Sequence, residues 1–378
     1  MRNLGTGSIQ NLGTQPGSPK RAYEETTDVV GRFEDKFARL VGAKYAVAVN
    51  SATSGLVATM LALLPHAGGG VVTSPMTFSA TGNAILAAGG IPIFADVGRQ
   101  TFCINGATVA RRVSQGCRGV LAVDLYGYPA VDAGLMEFCQ KKDLFIVEDA
   151  AQALGSLRSG RRVGGISDAT VFSFFESKHL ALGEGGMVTT NNEEFAERLR
   201  MIRSHGQDRQ YHQVVMGFNF RLPAKLAYDG LNILDSAESI IARRVEVGRV
   251  YHETLSGAAK VTLPLLEHNV VCSYYRYPLI IRLAASKLNR LLELISQRCG
   301  VTIGRGYGTL VYQQPFYRDL RKHFWGAQVM SFPRYSNWSC PDAEYIVERV
   351  VELPTGPALS DEDAMRVGSV LKEVLKNC

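Results

Sequence analysis

The feature that most constrains this chain is the repeated alternation of short apolar runs with amphipathic stretches. Tyr45-Ala-Val-Ala-Val49, Gly70-Val-Val-Thr73, Ile91 to Asp96, Val120 to Leu125, Leu144 to Glu148 and Val171 to Phe174 each read as a buried strand. Helical patterns separate them. Phe33, Phe37, Leu40 and Val41 share one helical face, and further helices are expected after Asn50-Ser-Ala-Thr-Ser54, over Thr77 to Ala88 and around Ala133 to Lys141. Strands that are apolar throughout and separated by helices point to a parallel sheet covered on both faces. Ligands of such sheets bind beyond the carboxyl ends of the strands. That rule selects the segments after Val49, Thr73, Leu125, Glu148 and Phe174, and these carry the unusual polar residues.

After Pro223 one long helix is expected, from Ala224 to Leu255, followed by mixed strands and helices. A chain of 378 residues is long for a single core. The expected division is an N-terminal arm at 1–24, a large domain at 25–245 and a small domain at 246–378. The fold class is therefore α/β: a large domain with a mostly parallel sheet between helices, plus a smaller C-terminal α+β domain.

Composition narrows the function by exclusion. Basic and acidic residues number 41 and 35, and the basic ones are scattered, so neither a nucleic-acid arm nor a membrane patch is expected. No apolar run approaches the roughly 20 residues that span a bilayer. Residues 1–19 lack the hydrophobic core of a secretory signal. The seven cysteines form no C-x-x-C pair and read as reduced thiols of a cytoplasmic protein. No metal site is expected, because the histidines and cysteines do not fall at ligand spacing.

Four segments can carry chemistry. In Val171-Phe-Ser-Phe-Phe-Glu-Ser-Lys178, followed by Gly183-Glu-Gly-Gly186, a lysine leaves a buried strand and precedes another. Partial desolvation there depresses its pKa and prepares an amine for Schiff-base chemistry; the plainer alternative is a surface lysine in a hairpin loop. Asp149 and Gln152 follow the apolar run 144–147. An anion at that rim can pair with a protonated pyridine nitrogen, and Gln152 can reach the ring's phenolic oxygen; alternatively Asp149 caps a following helix. The turn Asn50 to Gly55 exposes small residues and backbone N–H groups at a strand-to-helix junction. It suits a phosphate, with Ser173 able to add a hydroxyl, or simple helix capping by Thr53 or Ser54. Phe78, beyond the second strand, can stack on a planar cofactor or belong to the core.

Together these segments resemble the DegT/DnrJ/StrS sugar aminotransferases of the fold-type I aspartate aminotransferase superfamily. The matching motifs are N-S-A-T-S-G at 50–55, S-P-M-T-F-S-A-T at 74–81, L-Y-G-Y-P-A at 125–130, E-D-A-A-Q-A-L-G at 148–155, S-F-F-E-S-K at 173–178 with G-E-G-G at 183–186, and G-F-N-F-R-L at 217–222. The resemblance implies pyridoxal 5'-phosphate as cofactor, bound covalently by Lys178, with Asp149 on the pyridine nitrogen. It further implies Gln152 at the ring oxygen, Phe78 stacked on the ring, and Thr53, Ser54 and Ser173 on the phosphate. Asn219 would reach the phosphate of a neighbouring protomer's cofactor, so a homodimer with shared active sites is implied. The implied reaction transfers an amino group from glutamate or glutamine to a keto-sugar linked to a nucleoside diphosphate.

Some relatives carry histidine in place of the lysine and are dehydratases; Lys178, with His179 beside it, favours transamination. A keto-cyclitol as acceptor, or a regulatory protein that binds the cofactor without turnover, are the alternatives. The chain departs from the family pattern at Arg305-Gly-Tyr-Gly-Thr309, where a histidine-tyrosine segment is usual, and at its N-terminal entry.

Overall fold

The computed structural model describes residues 19–64 and 66–376. The expected arm at 1–24 lies outside the described residues as far as residue 18, and from Pro19 the chain is already helical. Seven strands form the main sheet: β1 (Tyr45–Val49), β2 (Gly70–Thr73), β3 (Ile91–Phe94), β4 (Cys117–Val123), β5 (Phe145–Asp149), β6 (Ala169–Ser173) and β7 (Gly186–Thr190), in the order β1-β7-β6-β5-β4-β2-β3. β2 to β6 pair in parallel, whereas β7 runs antiparallel to both neighbours. Ends shift by a few residues from the sequence expectation. Leu125 leaves β4 for a tight turn in which Tyr126 takes a left-handed conformation, φ 59°.

The reversal of β7 follows from its connection. A parallel return needs a long crossover, usually a helix, and the link after Ser173 contains none. It folds back on itself instead: Phe174 N donates to Gly185 O (2.9 Å) and Leu182 N to Phe174 O (2.8 Å). Gly183 and Gly185 adopt φ of +84° and +140°, which only glycine takes readily. Lys178 rides on this fold-back.

The covering helices are α1 (Pro19–Val41), α2 (Ala52–Leu63), α3 (Ser79–Ala87), α4 (Ala133–Lys141), α5 (Glu193–Arg203), α6 (Ala224–Ile233) and α7 (Ala237–Leu255). Strand alternation divides the sheet between two cores. Val47, Val49, Val147, Val171 and Val188 face α2, α3 and α5. Ala46, Ala48, Phe172 and Met187 face α1, α6 and the start of α7, while Val120, Ala122 and Ile146 meet Leu135 and Cys139 of α4.

The helix expected over 224–255 is broken. A 3-10 turn at Leu234–Ser236 separates α6 from α7. Lys36 on α1 donates to Leu231 O (3.0 Å) and Asp235 Oδ1 (2.6 Å), taking the carbonyl that would continue the ladder. A second sheet of β8 (Val261–Thr262), β9 (Tyr277–Ile281) and β10 (Val350–Leu353) is antiparallel. It packs with α8 (Ala285–Cys299), α9 (Asp361–Lys376) and the second half of α7. The expected boundary at 245/246 falls inside α7, between the halves that serve the two cores. No helix among the described residues is long and apolar enough to cross a membrane.

Gly186, the first residue of β7, closes on the start of α2. A Cβ there would stand 2.6 Å from Ala52 N and 2.7 Å from the Ser51 carbonyl carbon. Gly186→Ala is expected to destabilise the fold by about 1–3 kcal/mol and to weaken cofactor binding at the displaced helix start. A denaturant titration and a cofactor titration of the same variant read both effects.

Candidate active site

Thr53, Phe78, Asp149, Gln152, Ser173 and Lys178 line one cavity of about 500 Å³ at the carboxyl edge of the main sheet. Residues from separate strand ends thus converge where a parallel sheet places its ligands. Two of the expected residues stand outside the lining. The Ser54 hydroxyl lies 3.0 Å from Ser51 Oγ, and Asn219 forms a bridge with Ser204 beside the stacked rings of Phe218 and Phe220.

One end of the cavity is the N-terminus of α2. Its cap is Ser51, whose Oγ accepts from Ser54 N at 3.1 Å, so neither Thr53 nor Ser54 caps the helix. Ser51, Ala52 and Thr53 all border the cavity. A helix N-terminus with unpaired N–H groups and a partial positive charge receives phosphate favourably. Phe78 is 62 % exposed, at the mouth, and is therefore no core residue.

Asp149 ends β5 and is buried. No helix follows it, so the capping alternative is removed. Thr81 on α3 donates its hydroxyl to Asp149 Oδ2 at 2.8 Å, and Ala151 N reaches Oδ1 at 3.3 Å. Thr77 lies 2.9 Å from Thr81 and completes the relay of hydroxyls. Burial raises the pKa of Asp149, while Thr81, the Ala151 amide and the Lys178 charge pull it back. Such an anion is held for a cationic partner.

Lys178 sits in a hairpin-like loop, as the plainer reading had it, but the loop folds inward and its amine enters the cavity. Its Nζ lies 4.3 Å from the centroid of the Tyr275 ring. Burial lowers its pKa; Tyr275, Asp149 and Glu352 act in the opposite sense, and burial wins. The amine is thereby biased toward its neutral, nucleophilic form. His179 points elsewhere: buried, pushed down to about 3 and hence neutral, it lies 3.2 Å from Ser273 O through Nε2. Gln152 is held at both ends of its amide, Oε1 accepting from Tyr126 N at 2.8 Å and Nε2 donating to the Tyr307 hydroxyl at 2.9 Å. One N–H remains for another acceptor.

Sequence reasoning passed over Thr81, Tyr275, Tyr307 and Glu352. Thr81 lies within the S-P-M-T-F-S-A-T motif, four residues after Thr77, so helical spacing alone could have placed it beside Phe78's neighbours. Tyr307 occupies the segment where the chain departs from the family pattern. Tyr275 and Glu352 come from the second sheet region and carry no local signal.

The parts present suit pyridoxal phosphate: a neutral-leaning amine, a buried carboxylate, an open aromatic face and a helix N-terminus around one cavity. Fold and site define a pyridoxal-phosphate-dependent sugar aminotransferase. The chain belongs to the DegT/DnrJ/EryC1/StrS aminotransferase family, whose model matches residues 22–372. It is similar to the spore coat polysaccharide biosynthesis protein SpsC of Bacillus subtilis, with 30 % identity over 92 % of this chain and 90 % of that one. It is equally similar to a UDP-N-acetyl-3-dehydro-α-D-glucosamine 3-aminotransferase of Acidithiobacillus ferrooxidans, 30 % identical over 91 % and 88 %. Among solved structures it resembles S. venezuelae DesV in complex with a ketimine intermediate, with TM-score 0.82 and 28 % identity over 94 % of this chain and 97 % of that one.

Removing the Thr81 hydroxyl leaves Asp149 Oδ2 without its side-chain donor. Hydrogen bonds to charged groups contribute about 1.5–3 kcal/mol, so Thr81→Val is expected to weaken pyridoxal phosphate binding roughly 10- to 100-fold. The bond holds the pKa of Asp149 down; without it the carboxylate protonates at higher pH, and affinity falls earlier as pH is lowered. Cofactor titrations by absorbance across pH measure both shifts.

Proposed function

We propose that this enzyme transfers the amino group of glutamate or glutamine to the keto carbon of a sugar linked to a nucleoside diphosphate. One observation carries the reading: Lys178, biased toward the neutral amine, and Asp149, a buried carboxylate, line the same cavity at the sheet's carboxyl edge. When bound, pyridoxal phosphate supplies an aldehyde that accepts the amino group and a ring that withdraws electrons. Lys178 would anchor the cofactor covalently. Once freed, its Nζ would take the proton from the donor's α-carbon and pass it to the cofactor, and in the second half-reaction move a proton from the cofactor to the sugar carbon. Asp149 would keep the pyridine nitrogen protonated, Phe78 would cover one ring face, and the remaining N–H of Gln152 would serve the ring oxygen. Thr53 and Ser173, with the N-terminus of α2, would hold the phosphate, and Ser54, bonded to Ser51, would stand behind them.

The nucleotide-linked acceptor is supported by the relative named for a UDP-linked keto-sugar. A homodimer is supported by Asn219, which lies outside its own cavity near exposed Phe218 and Met216 and is available to a partner's cofactor. A cytoplasmic location is supported by the free cysteines among the described residues.

The reading is tested by incubating the loaded enzyme with glutamate or glutamine and a panel of nucleoside-diphosphate keto-hexoses and keto-cyclitols, with amine products detected by mass. Lys178→Ala is expected to fold normally and form no amine; wild-type-like turnover by that variant contradicts the role of Lys178. A depressed pKa means that the neutral amine is reached at lower pH than for an ordinary lysine near 10.5. The rate at which cofactor-free protein captures pyridoxal phosphate should therefore rise with pH and level off below that value. Stopped-flow absorbance follows the capture.

A further inference from the structure

Glu352 is a charge in the cavity that the reaction described above does not use. It sits in β10, fixed by pairing opposite Pro278 and by two backbone bonds to Gly304, 2.9 and 3.1 Å long. Its side chain lines the cavity with Lys178, Tyr275, Gly306 and Tyr307. Among the described residues it joins no ion pair within 4.0 Å, and its side-chain hydrogen-bond partner is the buried Tyr126 hydroxyl. Two glycines keep the carboxyl uncovered. A Cβ on Gly306 would stand 3.0 Å from both Glu352 Oε1 and the Tyr126 hydroxyl, and one on Gly304 would stand 3.4 Å from Oε2. Gly306 belongs to the Arg305–Thr309 segment in which the chain departs from the family pattern.

A largely buried carboxylate with one hydroxyl donor and no paired cation still has acceptor positions to fill, so its place in a binding cavity calls for a further donor that arrives with a ligand. The two substrates differ in what they bring. An amino-acid donor presents carboxylates, which Glu352 repels; a sugar presents hydroxyls beside its keto carbon, which donate to a carboxylate. Burial raises the pKa of Glu352, while the Tyr126 hydroxyl and the charges of Arg276 and Lys178 favour its ionised form. Tyr126 and Tyr307 are the tyrosines that face it.

We infer that Glu352 is a specificity-determining residue that accepts a hydrogen bond from the sugar hydroxyl neighbouring the keto carbon. The Tyr126 hydroxyl supports the same contact from behind Gly306. This assignment rests on the proposed function above. It separates the two half-reactions: the acid helps the sugar to bind and hinders an anionic donor.

The test uses the keto-hexose that the wild type aminates best, its analogue lacking the neighbouring hydroxyl, and the variants Glu352→Gln and Glu352→Asp. Half-reactions are followed one at a time by the cofactor's absorbance. In Glu352→Gln, kcat/KM for the sugar should fall about 10- to 100-fold, the range of a hydrogen bond to a charged group. KM for glutamate should move the other way and decrease. Glu352→Asp keeps the charge but withdraws it, so it should lose sugar affinity without the gain for glutamate. A readout independent of turnover is calorimetry on the cofactor-free protein with the corresponding non-keto nucleoside-diphosphate hexose and its deoxy analogue. The wild type should bind the hydroxylated sugar at least 10-fold more tightly, and Glu352→Gln should bind the two alike. Equal losses in both half-reactions, or full discrimination retained by Glu352→Gln, overturn the assignment while leaving the aminotransferase reading intact. Failure of the wild type to aminate any keto-sugar overturns both.

Discussion

The site depends on a single reversal in the sheet. β6 ends at Ser173 beside β5, and the chain then folds back instead of crossing over, which obliges β7 to run antiparallel. That fold-back has two consequences. It carries Lys178 across the carboxyl edge into the cavity that Asp149 also lines, and it presses Gly186 against the N-terminus of α2. The position of Lys178 in the cavity and the helix end that borders it are therefore set by one local event. A helical crossover at this point would have placed the lysine on a flank of the sheet, away from both.

Electrostatics follow from that placement. The amine and the carboxylate meet in a partly water-excluded space where each environment opposes its charged form, and each charge favours the other's. Burial outweighs attraction at Lys178, lowering its pKa toward the neutral amine. At Asp149 burial raises the pKa, but Thr81 and the Ala151 amide supply directed donors that a surface aspartate would lack. Glu352, on the second sheet, is another acid of the same cavity, with the Tyr126 hydroxyl as its donor where Asp149 has Thr81. Two carboxylates in one cavity are thus set in different environments by their different partners.

Much of this was legible in the chain itself. The apolar runs marked the strands because strands buried on both faces carry no polar alternation, and the polar residues just after Val49, Leu144–Val147 and Val171–Phe174 marked the cavity rim. The glycines at 183 and 185 announced a turn, although only the coordinates showed that it reverses β7. Other features depend on contacts between distant segments and left no local trace. The break at Leu234–Ser236 arises because Lys36, on a helix far earlier in the chain, captures a carbonyl. Ser51 rather than Thr53 or Ser54 caps α2, a choice made by backbone dihedrals. Tyr275 and Glu352 reach the cavity from loops and strands of the second sheet region, and nothing in their neighbouring sequence distinguishes them from ordinary surface or strand residues.

The central claim is that one particular amine bonds to the coenzyme. Its most direct measurement is reduction of the pyridoxal-phosphate-loaded protein with borohydride, followed by proteolysis and mass mapping of the pyridoxylated peptide. The account predicts one modified residue, Lys178, in the peptide that spans Ser173 to Gly186. A label found on any other lysine, or spread over several with Lys178 unmodified, contradicts it.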